Sequence, residues 1–145
     1  MSSIADNIGS VTRRIQKATL QAGRKPGAVH LLAVSKTRPP EDLREAFAAG
    51  QHAFGENYLQ EALEKIETLS DLDGLEWHFI GPIQSNKTRQ MASAFSWVHS
   101  VDRLKIARRL SEQRDPVLPP LNICLQVNIN EEDSKYGCTA GEQSL

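Results

Sequence analysis

The sequence has few of the features that mark exported, membrane-spanning or nucleic-acid-binding proteins. Its two cysteines, Cys124 and Cys138, do not make a disulfide framework, so we expect free thiols in a reducing cytoplasm. No run approaches the roughly 18 apolar residues that a membrane span needs, and the first residues lack the basic and apolar regions of a signal peptide. The 17 basic and 18 acidic residues nearly balance, which gives no electrostatic reason to bind nucleic acid or an anionic membrane.

Motifs for metal and nucleotide binding are also missing. The four histidines form no His-x-x-x-His pair, and the cysteines form no Cys-x-x-Cys. We therefore interpret His30, His52, His78 and His99 as core or surface residues. There is no Gly-x-Gly-x-x-Gly, P-loop or nucleophile elbow, which argues against a nucleotide-binding function.

Apolar periodicity predicts an amino-terminal helix followed by alternating strands and helices. The spacing from Ile4 to Ala18 is helical, and Ser3 with Asp6 resembles a capping box. Strands are predicted at 29–35, 52–55, 75–80, 97–101 and 121–129, and the helices between them at 41–49, 57–69, 85–95 and 103–113. Ser85 and Asn57 are the expected caps of two of these helices.

This order of elements predicts an α/β fold with parallel strands and right-handed crossovers. Two architectures fit it. One is an open, doubly wound sheet, which 145 residues can complete. The other is a (β/α)8 TIM-type barrel, which typically needs about 250 residues. In that case residues 1–145 form a partial barrel domain of about five β/α units, with the amino-terminal helix and strands 1–5 present and three units absent. Composition and periodicity do not choose between them.

Lys36 is the foremost candidate for chemistry. In either architecture the site forms at the carboxyl ends of the strands, and Lys36 directly follows the first apolar run. An amine held there would lose part of its hydration, which favours the neutral form that attacks an aldehyde. The alternative is a lysine that simply reaches into water from the end of a strand.

Other residues near the strand ends have both functional and structural interpretations. Asn57 could contact a planar ligand as well as cap a helix. Glu56 is interpreted as hydrogen-bonding a neighbour rather than as an acid–base group. Cys124 is predicted to lie in the core, and Cys138 is predicted to be an exposed loop thiol. Trp77 and Phe79 alternate with His78 and should pack on the opposite face of their strand.

Three stretches at these strand ends resemble the pyridoxal phosphate homeostasis proteins, the YggS/PROSC family. They are Leu32–Thr37, Phe54–Tyr58 and Glu76–Pro82, and the resemblance runs from about Ile4 to Gly137. It implies a barrel of PLP fold-type III, like the amino-terminal domain of alanine racemase. It also implies pyridoxal 5′-phosphate (PLP) as the cofactor, carried as a Schiff base on Lys36.

The resemblance implies further site residues and partners. Asn57 matches a residue beside the cofactor ring, Arg38 keeps a positive charge where some relatives have lysine, and Lys135 matches a loop lysine connected with cofactor handling. Members of the family buffer and deliver PLP, so PLP and the apo forms of PLP enzymes are the expected partners. No catalytic activity is firmly attached to the family.

The resemblance also implies that part of the barrel is absent. Relatives continue for about 85–90 more residues, which matches three missing units, and that part carries the phosphate-binding stretches. We therefore expect this chain to bind PLP weakly. The parent protein should be a monomer, whereas the fragment should self-associate to cover its two open sheet edges.

Three functions stay open from the sequence. The first is a non-catalytic PLP carrier, and the second is a PLP-dependent racemase or Schiff-base lyase. A racemase of this fold would need a further acid–base group, usually a tyrosine from another domain, and Tyr58 and Tyr136 are the only tyrosines. The third is a half-barrel that binds a partner protein without any cofactor.

Overall fold

Parallel strands and α-helices alternate in the computed structural model, which describes residues 2–130, 132–133, 135–139 and 141. The helices are α1 (Ile4–Gln21), α2 (Pro40–Ala48), α3 (Leu59–Thr68), α4 (Thr88–Ala94) and α5 (Leu104–Gln113). The strands are β1 (Ala33–Val34), β2 (Ala53–Glu56), β3 (Glu76–Phe79), β4 (Trp97–Val101) and β5 (Asn122–Leu125), and a short 3-10 turn at Ser85–Lys87 precedes α4. All the predicted elements are therefore present in the predicted order.

The ends of the helices follow the local sequence signals in most cases. The Ser3 hydroxyl accepts a hydrogen bond from the Asp6 amide at 3.0 Å, and the Asp6 carboxylate accepts one from the Ser3 amide, which completes the predicted capping box. Two predicted caps are wrong. Helix α3 begins after Tyr58, not Asn57, and Ser85 lies in the 3-10 turn rather than capping a helix, because Gln84 precedes it with an extended backbone.

The sheet has the strand order β1-β2-β3-β4-β5, with each strand parallel to the one before it. A doubly wound sheet contains a point where the strand order reverses. This sheet has no such reversal among the described residues, so it is singly wound. Of the two architectures open from the sequence, the doubly wound sheet is not the one observed.

The first strand is much shorter than predicted. Residues 29–32 were expected in β1 but lie outside it, and only Ala33 and Val34 pair with β2. The reason is that β1 is an outer strand with one neighbour. The Leu31 carbonyl instead accepts a hydrogen bond of 2.8 Å from the Gln51 side chain, which satisfies it without a ladder.

The helices cover one face of the sheet and form the core with it. Phe54, Trp77, Phe79 and Val98 face the helices, which confirms the predicted packing side of Trp77 and Phe79. The helical part of this core is Leu43, Ala46, Ala62, Leu69, Met91, Ala92, Ile106 and Leu110. The opposite face carries the alternate residues of each strand, among them Val34, which is 55% exposed.

Both cysteines are free, as predicted, but their surroundings differ from the prediction. Cys138 is buried rather than exposed, because the loop after β5 folds back and its thiol donates to the Gln126 carbonyl at 3.3 Å. Cys124 is only partly buried instead of lying in the core. The burial of Cys138 depends on its contact with Gln126, twelve residues earlier, and such a contact cannot be predicted from the local sequence.

Candidate functional site

Lys36 lies at the carboxyl end of β1, in a turn formed by residues 35–38. The amide of Arg38 donates to the carbonyl of Ser35 at 3.1 Å and closes the turn. The Lys36 side chain is exposed, and no carboxylate among the described residues lies within ion-pair distance of its amine. The expected partial desolvation of this amine is therefore wrong, because the side chain leaves the sheet towards solvent. What remains is an accessible and unpaired amine.

Thr37 gives this turn an unusual backbone. Its φ is 64°, in the left-handed region that a β-branched residue seldom adopts. The third position of such a turn is normally filled by glycine, so the threonine costs on the order of 1–2 kcal/mol in local strain. The turn keeps this shape because surrounding groups bind both sides of it.

A buried ion cluster lies under the turn. Lys65 of α3 is only 3% exposed, and its ammonium lies 2.5 Å from Glu56 Oε1 and 2.7 Å from Glu61 Oε1. It also donates to the Ser35 carbonyl at 2.7 Å. These three contacts match the three donors of an ammonium group. Glu56 therefore binds a neighbouring side chain, in agreement with the structural interpretation of that residue.

The carboxylates of this cluster have opposite pKa shifts. Burial raises the pKa of Glu56 from its ordinary 4.5, and the hydrogen bond and charge of Lys65 only partly oppose this. The hydrogen bond from Lys65 lowers the pKa of Glu61, aided by the backbone bond from Thr37. Glu61 is thus held as a carboxylate, whereas the ionised form of Glu56 depends on Lys65.

Asn57 occupies the equivalent place on the next strand. Val34 pairs with Gly55, so Lys36 and Asn57 each lie two residues beyond a paired position. The Asn57 Oδ1 is buried and has no hydrogen-bond partner among the described residues. Gly81 fixes this segment from the other side, because a Cβ at position 81 would overlap the Asn57 carbonyl oxygen. An unpaired acceptor therefore lies at the same strand edge as the free amine.

Arg38 and Lys135 are not brought to Lys36 by the described contacts. Arg38 pairs with Asp42 of α2 at 3.4 Å, on the helix side of the sheet. Lys135 is exposed beside the loop after β5, and its amide donates to the Glu132 carbonyl. Since β1 and β5 are the two outer strands, Lys36 and Lys135 lie at opposite margins of the sheet. Their roles toward a cofactor stay predictions.

A pair of histidines lies on the face of the sheet away from the helices. His78 Nδ1 is 2.9 Å from His99 Nε2, and His78 Nε2 is 2.6 Å from Glu76 Oε1. His78 also stacks on Trp97 with ring centroids 5.5 Å apart. Burial, and then the nearby His78, lower the pKa of His99, which favours its neutral form. No cluster of three or more side chains that could hold a metal ion exists in the described residues.

A cleft of about 280 Å³ opens at the carboxyl ends of β3, β4 and β5. Its walls are formed by residues of the strand ends and following loops, including Ile80, Pro82, Ser100, Asp102 and Gln126. Ser100 has a φ of 59° and its hydroxyl donates to the Ile80 carbonyl at 3.2 Å. The cleft therefore lies at the same edge of the sheet as Lys36, but beside β3, β4 and β5 rather than beside β1.

Sequence reasoning missed Lys65 and the role of Glu61. A signal for both exists in the spacing of α3, because Lys65 lies three residues after Ala62 and four before Leu69. It therefore belongs to the apolar face of the helix, where a lysine must find a carboxylate. Glu61, one turn earlier, has the spacing of an ion-pair partner.

Comparison with known proteins relates the chain to one family. It is 66% identical over 138 residues to the pyridoxal phosphate homeostasis protein of Pseudomonas aeruginosa, covering 95% of this chain and 60% of that protein. It is 51% identical over 144 residues to the protein of the same name from Escherichia coli K12, covering 98% of this chain and 62% of the relative. The family resemblance is confirmed.

A solved structure of a related protein supports the fold. The structure of PipY from Synechococcus elongatus PCC7942 with PLP bound is 40% identical, with a TM-score of 0.74, over 88% of this chain and 58% of that one. This chain thus spans about 60% of the length of the relatives it matches. No protein-family model matches it. None of the helices in the described part of the chain has the length and apolarity that crossing a bilayer requires.

Proposed function

We propose that this chain binds PLP covalently through Lys36 and acts in PLP homeostasis as a carrier rather than a catalyst. The observation that carries the proposal is the exposed amine of Lys36, which has no ion-pair partner among the described residues and lies on a fixed turn at the carboxyl edge of the sheet. The names of the relatives and the PLP-bound state of PipY support it.

The residues at this edge fit a carbonyl cofactor. PLP supplies an aldehyde, which condenses with a neutral lysine amine to a Schiff base with loss of water. No carboxylate among the described residues lies within ion-pair distance of the Lys36 amine, so no salt bridge has to be broken before it reacts. The unpaired Asn57 Oδ1 offers an acceptor beside it. Arg38 and Lys135 remain proposed cofactor-binding residues, as positive charges that suit an anionic ligand.

The complete protein would be a (β/α)8 barrel of PLP fold-type III. The singly wound strand order and the helices on one face support this, because both are features of a β/α barrel. Residues 1–145 would then form its first five units.

The open margins at β1 and β5 support self-association of this chain. Its free thiols suit a reducing compartment such as the cytoplasm. Apo forms of PLP enzymes would be the recipients of the cofactor.

Borohydride trapping tests this function. The chain is incubated with excess PLP, reduced, digested and mapped by mass spectrometry, so that each modified lysine is counted. We expect Lys36 to be modified in preference to Lys17, Lys25, Lys87, Lys105 and Lys135, because its turn presents the amine at a site with further cofactor contacts.

Two variants control this experiment. Lys36→Arg should remove the preferred adduct while leaving a low and even background, whereas Lys105→Arg on α5 should leave the Lys36 adduct unchanged. Labelling spread evenly over the exposed lysines of the unmodified chain would contradict the proposal.

A further inference from the structure

The peptide groups on both sides of Lys36 are bound by side chains of one helix. The carbonyl of Ser35, which precedes Lys36, accepts a hydrogen bond from Lys65 at 2.7 Å. The amide of Thr37, which follows Lys36, donates to Glu61 Oε1 at 2.5 Å. Lys65 and Glu61 are themselves paired at 2.7 Å. The Cα of Lys36 therefore lies between two peptide planes that the same ion pair fixes.

The rest of the turn depends on these contacts. The left-handed Thr37 would be strained in isolation, and its hydroxyl donates only to the adjacent Lys36 carbonyl at 2.6 Å. The bond from its amide to Glu61 is charge-assisted, and such bonds are stronger than those between neutral groups. Glu61 therefore compensates for the strain that turns the backbone at this point.

Glu61 and Lys65 together form a clamp on the two peptide groups beside Lys36, and burial makes this clamp rigid. Lys65 has an exposed side-chain fraction of 4% and Glu56 of 1%, so neither can exchange its partner for water without opening the contact between α3 and the sheet. Glu61 has a side-chain exposure of 30% and reaches from this buried pair to the surface turn. The cluster thus connects the core to the backbone of Lys36.

We propose that Glu61 and Lys65 are positioning residues for Lys36: they fix the two peptide groups next to its Cα and so set the direction in which its amine leaves the sheet edge. Neither residue needs to touch the cofactor. The inference rests on the proposed function, since it concerns how the PLP-binding lysine is oriented.

The test compares three variants of one helix. Glu61→Ala removes the acceptor for the Thr37 amide but leaves Glu56 to pair with Lys65, so the core keeps its charge balance. Glu61→Gln keeps a carbonyl acceptor at the same place. Glu64→Ala is the matched control, because Glu64 is exposed and accepts a hydrogen bond from Gln60 on the same helix. Unfolding by urea, followed by circular dichroism, establishes that each variant is folded.

The first readout needs no cofactor. Amide hydrogen exchange of Thr37, followed by NMR in the chain without PLP, should accelerate about tenfold in Glu61→Ala, because one protecting hydrogen bond is lost. Glu64→Ala should leave it unchanged. Unchanged exchange in Glu61→Ala would overturn the clamp itself.

The second readout is the share of borohydride-trapped PLP on Lys36. We expect Glu61→Ala to lower this share about threefold to tenfold, and Glu61→Gln to restore most of it. An unchanged share in Glu61→Ala, or a loss in Glu61→Gln equal to that in Glu61→Ala, would overturn the positioning role alone. The absence of any preference for Lys36 in the unmodified chain would overturn the proposed function, and this inference with it.

Discussion

At the scale of single residues, Lys65 neutralises the charge of a carboxylate buried in the core. Its partner Glu56 is 1% exposed, so removing the cation leaves an ionised carboxylate in the core. Breaking a buried ion pair from one side typically costs about 3–5 kcal/mol. We expect Lys65→Met to lower the free energy of unfolding by about that amount at pH 7, measured by urea denaturation. Lys65→Met combined with Glu56→Gln should recover most of the loss.

The pH dependence of the same variant separates charge from packing. Burial raises the pKa of Glu56, so its contribution to stability is fully present below the ordinary value of 4.5 and is lost as the pH rises through the raised pKa. Without Lys65 the loss of stability with rising pH is larger, because the lysine then no longer offsets the burial of the ionised Glu56. The deficit of Lys65→Met should therefore shrink as the pH is lowered from 7 towards the raised pKa, whereas the double variant should show little such trend. Arg44→Met, which breaks the exposed pair with Asp71, is the control and should have little effect. A deficit that does not change with pH would point to packing instead.

At the scale of elements, the ends of β2 and β3 touch through backbone. Gly81 follows β3, and a side chain there would overlap Asn57 after β2, so the two loops cannot both keep their places. We expect Gly81→Ala to destabilise the chain by about 1–3 kcal/mol, the usual range for overpacking. Thermal or urea unfolding measures this.

A second glycine provides the opposite control. Gly9 lies within α1, where an added Cβ would meet the flexible end of Arg13 at 3.3 Å. Gly9→Ala should therefore stabilise the chain by about 0.5–1 kcal/mol, because alanine loses less backbone entropy in a helix. Equal effects of both substitutions would show that the contact between Gly81 and Asn57 is not tight.

The elements themselves were largely predictable, because their periodicities are strong and local. The helices from Ile4 and from Leu104 have one apolar stripe each, and the capping signal at Ser3 is complete within three residues. The length of β1 was not predictable from its apolar run, because strand length depends on which neighbours pair with it.

The burial of Cys138 and the left-handed Thr37 depend on contacts with distant residues. The strand order predicted Lys36 and Asn57 at the carboxyl ends of their strands, and the structure has both there. The contacts of Glu61 and Lys65 with the turn depend on how α3 packs against it, which the local sequence does not show.

At the scale of the whole molecule, the described residues leave two sheet margins open. β5 pairs only with β4 in this part of the chain, and its Ile123 and Leu125 are 40% and 37% exposed. Open strand edges with apolar side chains favour pairing between chains. We expect sedimentation velocity to show reversible association as the protein concentration is raised.

A charge on β5 tests where this association occurs. Leu125→Lys should weaken association by about tenfold, since a lysine on an edge strand opposes pairing. Val117→Lys adds the same charge in the loop before β5, at a residue that is 90% exposed, and should have no effect. Equal association in all three proteins would place the contact elsewhere.

The strand order has a consequence for synthesis. Each strand pairs with the one made immediately before it, and paired residues are 19–25 positions apart, so no strand has to wait for a distant part of the chain. The turn at Lys36 needs only β1, β2 and α3, because its clamp comes from Glu61 and Lys65. On a ribosome the proposed cofactor lysine can therefore be set in place when less than half of these 145 residues have emerged.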